Sequence, residues 1–581
     1  MGTGYTRNDT GNNIADGNVI NAADLDGEFD AVVAAFNNSS GHTHDGTSAE
    51  GAPIEVLGPS QDVVITASVL RPKTTNTVDL GTSSLKFKDI HLSGDLNLTA
   101  LNVTDASASD ATIKLNGNYP DGSRNVAFGL TALDSLDGSS PGGDNVAIGN
   151  AVLTALTTGD HNIAIGSSAG TALVAGGKNI AIGHEALSTE DGNGETVAIG
   201  YQALKVQNAG ASGLNVAVGY QSGLAVTTGV KNTLLGASSG VALTAGANNT
   251  AIGYEALSTE DANGNNTAVG YRSLKTLNAG AAGYNTGVGV DSGLSLTTGV
   301  RNTAIGSFAL DAATTSDDNT AVGYNAGTEI TTGTDNVVLG SSAGAALDAG
   351  SSNVAVGVEA LSTEDGNGET VAIGYQALKT QNAGASGLNV AVGYQTGTAV
   401  TTGVQNTLIG ASAGVALTAG AGNVAVGYEA LKTEDGHGTA TAIGFQSLKT
   451  LNAGADSYNV AVGYQAAEAM TTGKRNIAIG ANALDTATDG DDNVAIGYDA
   501  GTAVTTASDN TLVGAYAGTA LTTGTANVAV GNGALATSTT ATDNTAIGYQ
   551  ALNANTSGAD NVALGDEAGH DITTGSRNTI L

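Results

Sequence analysis

"RNTAIGSFALDAATTSDDNTAVGYNAGTEITTGTDNVVLG", residues 301–340, opens the same phrase three times, at Asn302, Asn319 and Asn336. Aligned on the pentad Asn-Val-Ala-Ile-Gly, such units start at Asn125 and follow one another to Asn578, 27 in all, the last incomplete. The step is 17 residues, except for a first step of 20 and four steps of 19 that begin at Thr196, Asn266, Thr370 and Ala440. A short period held this long is the signature of a solenoid with one unit per coil.

The unit NVAVGYQTGTAVTTGVQ, residues 389–405, shows what a coil contains. Val390 and Val392 share a parity that Ala391 does not, so the pentad predicts a short strand with one residue on one face and two on the other. The glycine that closes the pentad marks a sharp turn or a close backbone approach. A second apolar pair such as Ala203-Leu204 predicts a second short strand, and Thr401-Thr402-Gly403 a second turn. In-register stacking would let the leading Asn bond to the coils above and below as a ladder. Coils stacked at about 4.8 Å make a rod of roughly 130 Å. So thin a roll buries little apolar area against its chain entropy. The small third residue, as in Ala147, Ala164, Ala181 and Ala391, suggests close packing between neighbouring chains, most simply three.

The composition narrows the function. With 85 Gly, 6 Phe and neither Trp nor Cys, the chain has no material for ordinary large cores or a disulfide framework. Its 54 acidic residues outnumber 19 basic ones, and a formal charge of −35 leaves no surplus of cations to neutralise phosphates, which argues against nucleic acid. No run reaches the roughly 20 apolar residues of a membrane span, and the first thirty residues lack an apolar export signal.

The recurring N-[VT]-A-[IV]-G followed by [YSA]-x-[AS] resembles the head repeat of trimeric autotransporter adhesins, although the family's usual unit is a few residues shorter. That resemblance implies a left-handed parallel β-roll in which three chains pack side by side. The opening segment NVINAADLDGEFDAVVAAFNNSSGHTHDG, residues 18–46, resembles the virion-proximal end of phage tail fibres. LGTSSLKFKDIHLSGDLNL, residues 80–98, is similar to β modules common in such fibres.

These readings divide the chain into three parts. Residues 1–40 form an attachment segment with a short helix, its apolar stripe at Leu25, Phe29, Val32 and Phe36 and Asn21 as its cap. Residues 41–120 form a β-rich connector, and residues 121–581 the β-roll shaft. The expected fold class is an all-β parallel β-roll of about 17-residue coils in a homotrimeric fibre. The final Asn578-Thr579-Ile580-Leu581 leaves a coil open, so a further tip is expected beyond it.

His42 and His44 would project on one side of an extended chain, and three chains would gather six imidazoles on the axis, an octahedral set for Fe²⁺ or another transition metal. The alternative is two histidines in a polar loop. His-x-His also resembles the metal-threading sites of trimeric phage fibres. Four acidic loops precede the 19-residue units, at 188–195, 258–265, 362–369 and 432–439. In two of them Asp191, Asn193 and Glu195, and Asp365, Asn367 and Glu369, alternate like part of a calcium loop, though without a distal bidentate Glu. Solvated turns are the rival reading.

Tyrosine follows the pentad glycine at Tyr201, Tyr220, Tyr254, Tyr271, Tyr324, Tyr375, Tyr394, Tyr428, Tyr464, Tyr498 and Tyr549. These rings could stack on sugars of a host surface glycan, or pack along a corner of the roll. No catalytic constellation accompanies the seven histidines, so the chain is expected not to be an enzyme.

The expected role is a phage tail fibre on the virion. Its partners would be two copies of itself, a tail or adaptor protein at the N-terminus, and a host glycan or outer-membrane receptor. A bacterial trimeric adhesin is the alternative. An ice-binding solenoid ranks behind both, because adjacent threonines point to opposite faces of a strand.

Overall fold

The computed structural model describes residues 125–136, 142–192, 194–210, 213–366, 368–384 and 387–581, and the backbone of three short strands before them. The expected helix at Leu25 to Phe36 and the His42/His44 pair lie outside the described residues. The chain divides into two units, Met1–Ile113 and Lys114–Leu581. In the first, β1 (Val56–Leu57), β2 (Val63–Ile65) and β3 (Leu70–Pro72) make an antiparallel meander, with Val56 opposite Val64 and Val63 opposite Pro72.

The second unit is an all-β parallel solenoid. Its strands run from β4 (Val126–Phe128) and β5 (Val146–Ile148) to β29 (Val562–Leu564) and β30 (Thr579–Ile580), 27 strands closing 26 coils. Each pairs in parallel with the equivalent strand of the next coil, as Val390, Ala391 and Val392 pair with Thr407, Leu408 and Ile409. By strand spacing the stack is about 125 Å long. No α-helix occurs among the described residues.

Each coil has one strand, not the two expected. The second apolar piece is a turn, because its residues enter the left-handed region: φ is +56° at Gln202 and +48° at Leu204. The coil-to-coil ladder continues through it all the same. Gly397 donates its N–H to the Ala413 carbonyl at 3.0 Å and Ala399 to that of Val415 at 3.1 Å. Intercoil hydrogen bonding therefore survives where extended dihedrals do not.

The pentad glycine is required twice over. At Gly393 φ is +141°, and an added Cβ would stand 2.7 Å from the Gly410 carbonyl of the next coil. The leading asparagines form the expected ladder. Asn389 Oδ1 accepts the Asn406 N–H at 2.8 Å, and Asn406 Nδ2 donates to the Gly420 carbonyl at 2.8 Å, all buried. Such an asparagine pairs two backbone groups that would otherwise be orphaned inside the stack, and the ladder is broken where Thr196, Thr370 and Ala440 lead the coil.

The third residue faces inward, which overturns the packing role expected for it. Ala147, Ala164, Ala181 and Ala391 are 0–2% exposed inside their own coil and touch no outer surface. A three-residue strand can bury only its middle side chain, so the second and fourth positions take the outer face. The interior column consists of positions one, three, eight, nine and twelve and, in most 17-residue coils, fifteen, as at Ser316, Gly403 and Ala507.

Size is traded between positions three and nine. Most coils carry Ala at three, many with Leu at nine, as Ala425 and Leu431. Where three is large, at Leu234, Val338, Leu408 and Leu512, position nine is Gly in that coil and in the one before. A Cβ on Gly397 would sit 2.8 Å from Leu408 Cδ1 and 2.9 Å from Leu378 Cδ2, so neighbouring leucines fill its space.

Candidate functional site

Two surface systems ride on this scaffold, a corner of aromatic rings and the acidic loops. The residue after the pentad glycine lies outside the core, and in-register coils put equivalent rings one above another. Tyr201 and Tyr220 stack with centroids 5.3 Å apart and planes 8° from parallel, and Tyr375 and Tyr394 repeat this at 5.3 Å and 14°. Tyr254 stacks on Tyr271 at 5.5 Å. Tyr428, Phe445 and Tyr464 form a run of three, at 5.4 and 5.2 Å. The rings remain about half exposed, Tyr220 at 54% and Tyr394 at 55%. Within a run, however, each inner face is covered by the next ring. Tyr324 and Tyr498 instead meet Phe308 and Tyr516 edge-on. The edge-packing reading thus describes the interior of each run, and free faces remain only at its ends.

Beside the rings, the next residue forms short polar ladders in several coils. Glu185 accepts from Gln202 at 2.8 Å, and Gln202 in turn accepts from Gln221 at 2.9 Å. Lys432 and Gln446 both donate to Glu429 and, with Lys449 nearby, hold its carboxyl down at about 2.

Of the suggested calcium ligands, Asp191, Glu195, Asp365 and Glu369 lie at the surface. Asp191 is exposed, and its carbonyl accepts the N–H groups of Val174 and Ala175. Glu195 pairs with Lys178 at 3.4 Å. The Asp365 carbonyl likewise accepts from Asp348 and Ala349, and Glu369 donates its N–H to the Ser351 carbonyl. Asn193 and Asn367 lie outside the described residues.

What these loops bring together is a different residue, the glutamate before the aspartate. Glu190, Glu260 and Glu364 are fully buried, and Glu434 is 1% exposed. All four occupy position twelve, where other coils carry Leu173, Leu243 or Leu417. Glu190 accepts from Gln207 at 3.2 Å, and Gln207 also bridges Thr196 and Asn215 where Thr breaks the asparagine ladder. Glu364, Gln381, Thr370 and Asn389 repeat the arrangement. The other two lack a glutamine, since Leu277 and Leu451 stand in its place. Glu260 is met by the Asn263 and Ala279 N–H groups, and Glu434 by those of His437 and Ala453. Burial pushes both carboxyls above their ordinary value.

Sequence reasoning passed over these glutamates, although a charged residue at a leucine position of the repeat was the available signal. Among the described residues, Glu434, Asp435 and His437 form the one group with ligand atoms close enough to hold a metal, all within 4.8 Å.

A second, longer period was also missed. Residues 179–352 and 353–526 correspond unit for unit, ten coils each, so the tyrosine runs and acidic loops recur together 174 residues apart. No protein-family model matches the chain. No curated protein matches its sequence either.

Proposed function

We propose that the solenoid is the rigid shaft of a homotrimeric phage tail fibre, held to the tail by its N-terminal segment and touching a host surface glycan or receptor along its length. The observation that carries this reading is the outer face of the sheet. Positions two and four of the coils form one continuous strip of Val, Ile, Thr and Leu, with Phe128 in the first strand, and Ile163 is 38%, Leu235 45% and Ile409 40% exposed. Three residues of strand by about 125 Å make a face of roughly 1,250 Å². Monomers seldom expose apolar patches above a few hundred Å². An interface of this size exceeds the roughly 800 Å² per partner of a stable complex. A second and third copy of the chain would cover it in register, which moves the expected contact from position three to positions two and four. The role is mechanical and multivalent, without catalysis: a stiff rod sets many weak contacts at a defined distance from the particle.

A bacterial trimeric adhesin would use the same face. Immunogold labelling with antibody to residues 1–120 separates the two. Gold on phage tails supports the fibre, whereas gold on cell envelopes with bare particles rejects it for the adhesin. Ice binding draws on a different feature, the row Thr233, Thr250, Thr267, Thr286, Thr303 and Thr320 on the outer sheet face. The threonines of the turns serve otherwise, since Thr401 Oγ1 donates to the Thr418 carbonyl at 3.1 Å.

A further inference from the structure

The aromatic ladder is interrupted by single small residues in a way that leaves room for one ring. Three gaps have a tyrosine on both sides: Ala237 between Tyr220 and Tyr254, Ala411 between Tyr394 and Tyr428, and Ala481 between Tyr464 and Tyr498. We propose that each gap binds one pyranose ring of a glycan chain, sandwiched between the two tyrosines. The inference rests on the shaft being a glycan-contacting surface and names where and how the contact is made.

Within a run, adjacent rings lie 5.2–5.5 Å apart. Across an alanine coil the walls are two coils apart, about 9.6 Å by strand spacing. A group at the midpoint is then about 4.8 Å from each wall. That is wider than the carbon–carbon optimum of about 3.5–4.0 Å, so a flat ring such as Phe445, which sits this way between Tyr428 and Tyr464 at 5.4 and 5.2 Å, fills the space loosely. A chair-form pyranose is thicker because its axial C–H bonds stand out from the ring, and these bonds meet the negative π faces on both sides. The walls are braced from behind. Tyr220 is backed by Tyr201 and Tyr254 by Tyr271, so the only uncovered face of each is the one turned to the alanine. The alanine floor is half-buried, and beside it Leu235, Ile409 or Ile479 stays 37–45% exposed as an apolar lip.

The polar ladder gives the gap an edge that suits hydroxyls. Gln221, Ser238 and Glu255 follow the residues of the first gap, and Gln395, Ser412 and Glu429 those of the second. The Gln221 amide nitrogen is held by Gln202 at 2.9 Å, which leaves its carbonyl oxygen to accept. The Ser238 and Ser412 side chains have no hydrogen-bond partner among the described residues. An apolar slot with acceptors and hydroxyls along one edge is the chemistry of a sugar ring, apolar on its faces and polar at its rim. The first two gaps are equivalent positions ten coils apart, roughly 48 Å along the rod. One long polysaccharide, or several short chains, could therefore engage both.

The test uses the full chain and a panel of pyranose polysaccharides and oligosaccharides from bacterial surfaces. Binding is read by tyrosine fluorescence, which no tryptophan obscures, and by saturation-transfer NMR. The triple variant Ala237→Tyr, Ala411→Tyr, Ala481→Tyr fills the gaps with the residue that adjacent coils already carry. Ala→Val at the same sites is a milder filling, since Val290 and Val358 occupy this position elsewhere. The expected result is millimolar or tighter binding by the unaltered chain and at least a tenfold loss in both filled variants, with circular dichroism unchanged. Equal binding by filled and unaltered chains overturns the gap assignment while leaving glycan contact intact. No binding of any pyranose by the unaltered chain overturns both.

Discussion

The exchange of volume between positions three and nine makes a sharp energetic prediction at Leu408. Its side chain is fully buried and fills the space left open by Gly397 and Gly414, with an added Cβ on Gly414 falling 2.8 Å from Leu408 Cδ2. Leu408→Ala leaves a cavity that neither glycine can fill, and should cost about 2–5 kcal/mol. Gly414→Leu drives a side chain into Leu408 and should cost about 1–3 kcal/mol by overpacking, plus about 1 kcal/mol for a left-handed backbone. The double variant recreates a coil with Ala at three and Leu at nine, as in Ala181 and Leu187, which also follow a coil with Gly at nine, Gly170. Leu187 adopts φ +52° there, so the backbone accepts it. The two changes should therefore rescue each other, leaving the double variant within about 2 kcal/mol of the original chain, a coupling well beyond additivity. Native-state hydrogen exchange at the amides of residues 406–439 is the assay, because a repeat array opens locally and a single melting temperature would average over coils. A double variant as labile as the two single costs summed would refute the packing argument.

Asn406→Ala removes the acceptor of the Asn423 N–H, 2.9 Å away, and the donor to the Gly420 carbonyl. Leaving those buried groups unpaired should cost about 1–3 kcal/mol, seen as roughly 5- to 150-fold faster exchange confined to the neighbouring coils. Glu260 and Glu434 hold their protons above the pKa of an unfolded glutamate, so the folded state binds more protons in that window and stability falls as pH rises through it. Glu260→Gln with Glu434→Gln should flatten this slope in denaturant unfolding at pH 4 to 7, and an unchanged slope would place its origin elsewhere. Glu429 behaves in the opposite sense. With its pKa lowered to about 2, its contribution is present above the ordinary glutamate value and lost only as pH falls toward 2, which NMR titration of its side chain can check. Val390→Glu with Val424→Glu places carboxylates on the outer sheet face. It should convert a trimer to monomers in sedimentation analysis without loss of β signal, and an unchanged mass would exclude that face as the interface.

Much of the architecture was legible in the repeat. The period of 17 residues, the alternation within the pentad, the glycine that closes it and the asparagine that opens it follow from rules acting on neighbours in sequence. In-register stacking turns any such rule into a ladder. Three features were misread or missed because they depend on curvature or on the neighbouring coil. The Ala203-Leu204 piece reads as a strand by its apolarity, but a coil this short must turn there, and left-handed dihedrals at Gln202 and Leu204 accomplish it. Ala391 could have faced either side, since alternation specifies that two faces exist and not which is inside.

The glutamate of STED looked like loop polarity because its partner Gln207 is 17 residues away. Likewise, the tyrosines were countable, but whether a ring face is covered depends on what the next coil places above it. For this protein, then, the sequence alone determined the period, the coil and the strip of side chains each coil repeats. Only the stacked structure decided which face is core, which acids are buried and which aromatic faces stay open. The physical reason is that one coil buries almost nothing by itself, so inside and outside come into being when the next coil closes over it.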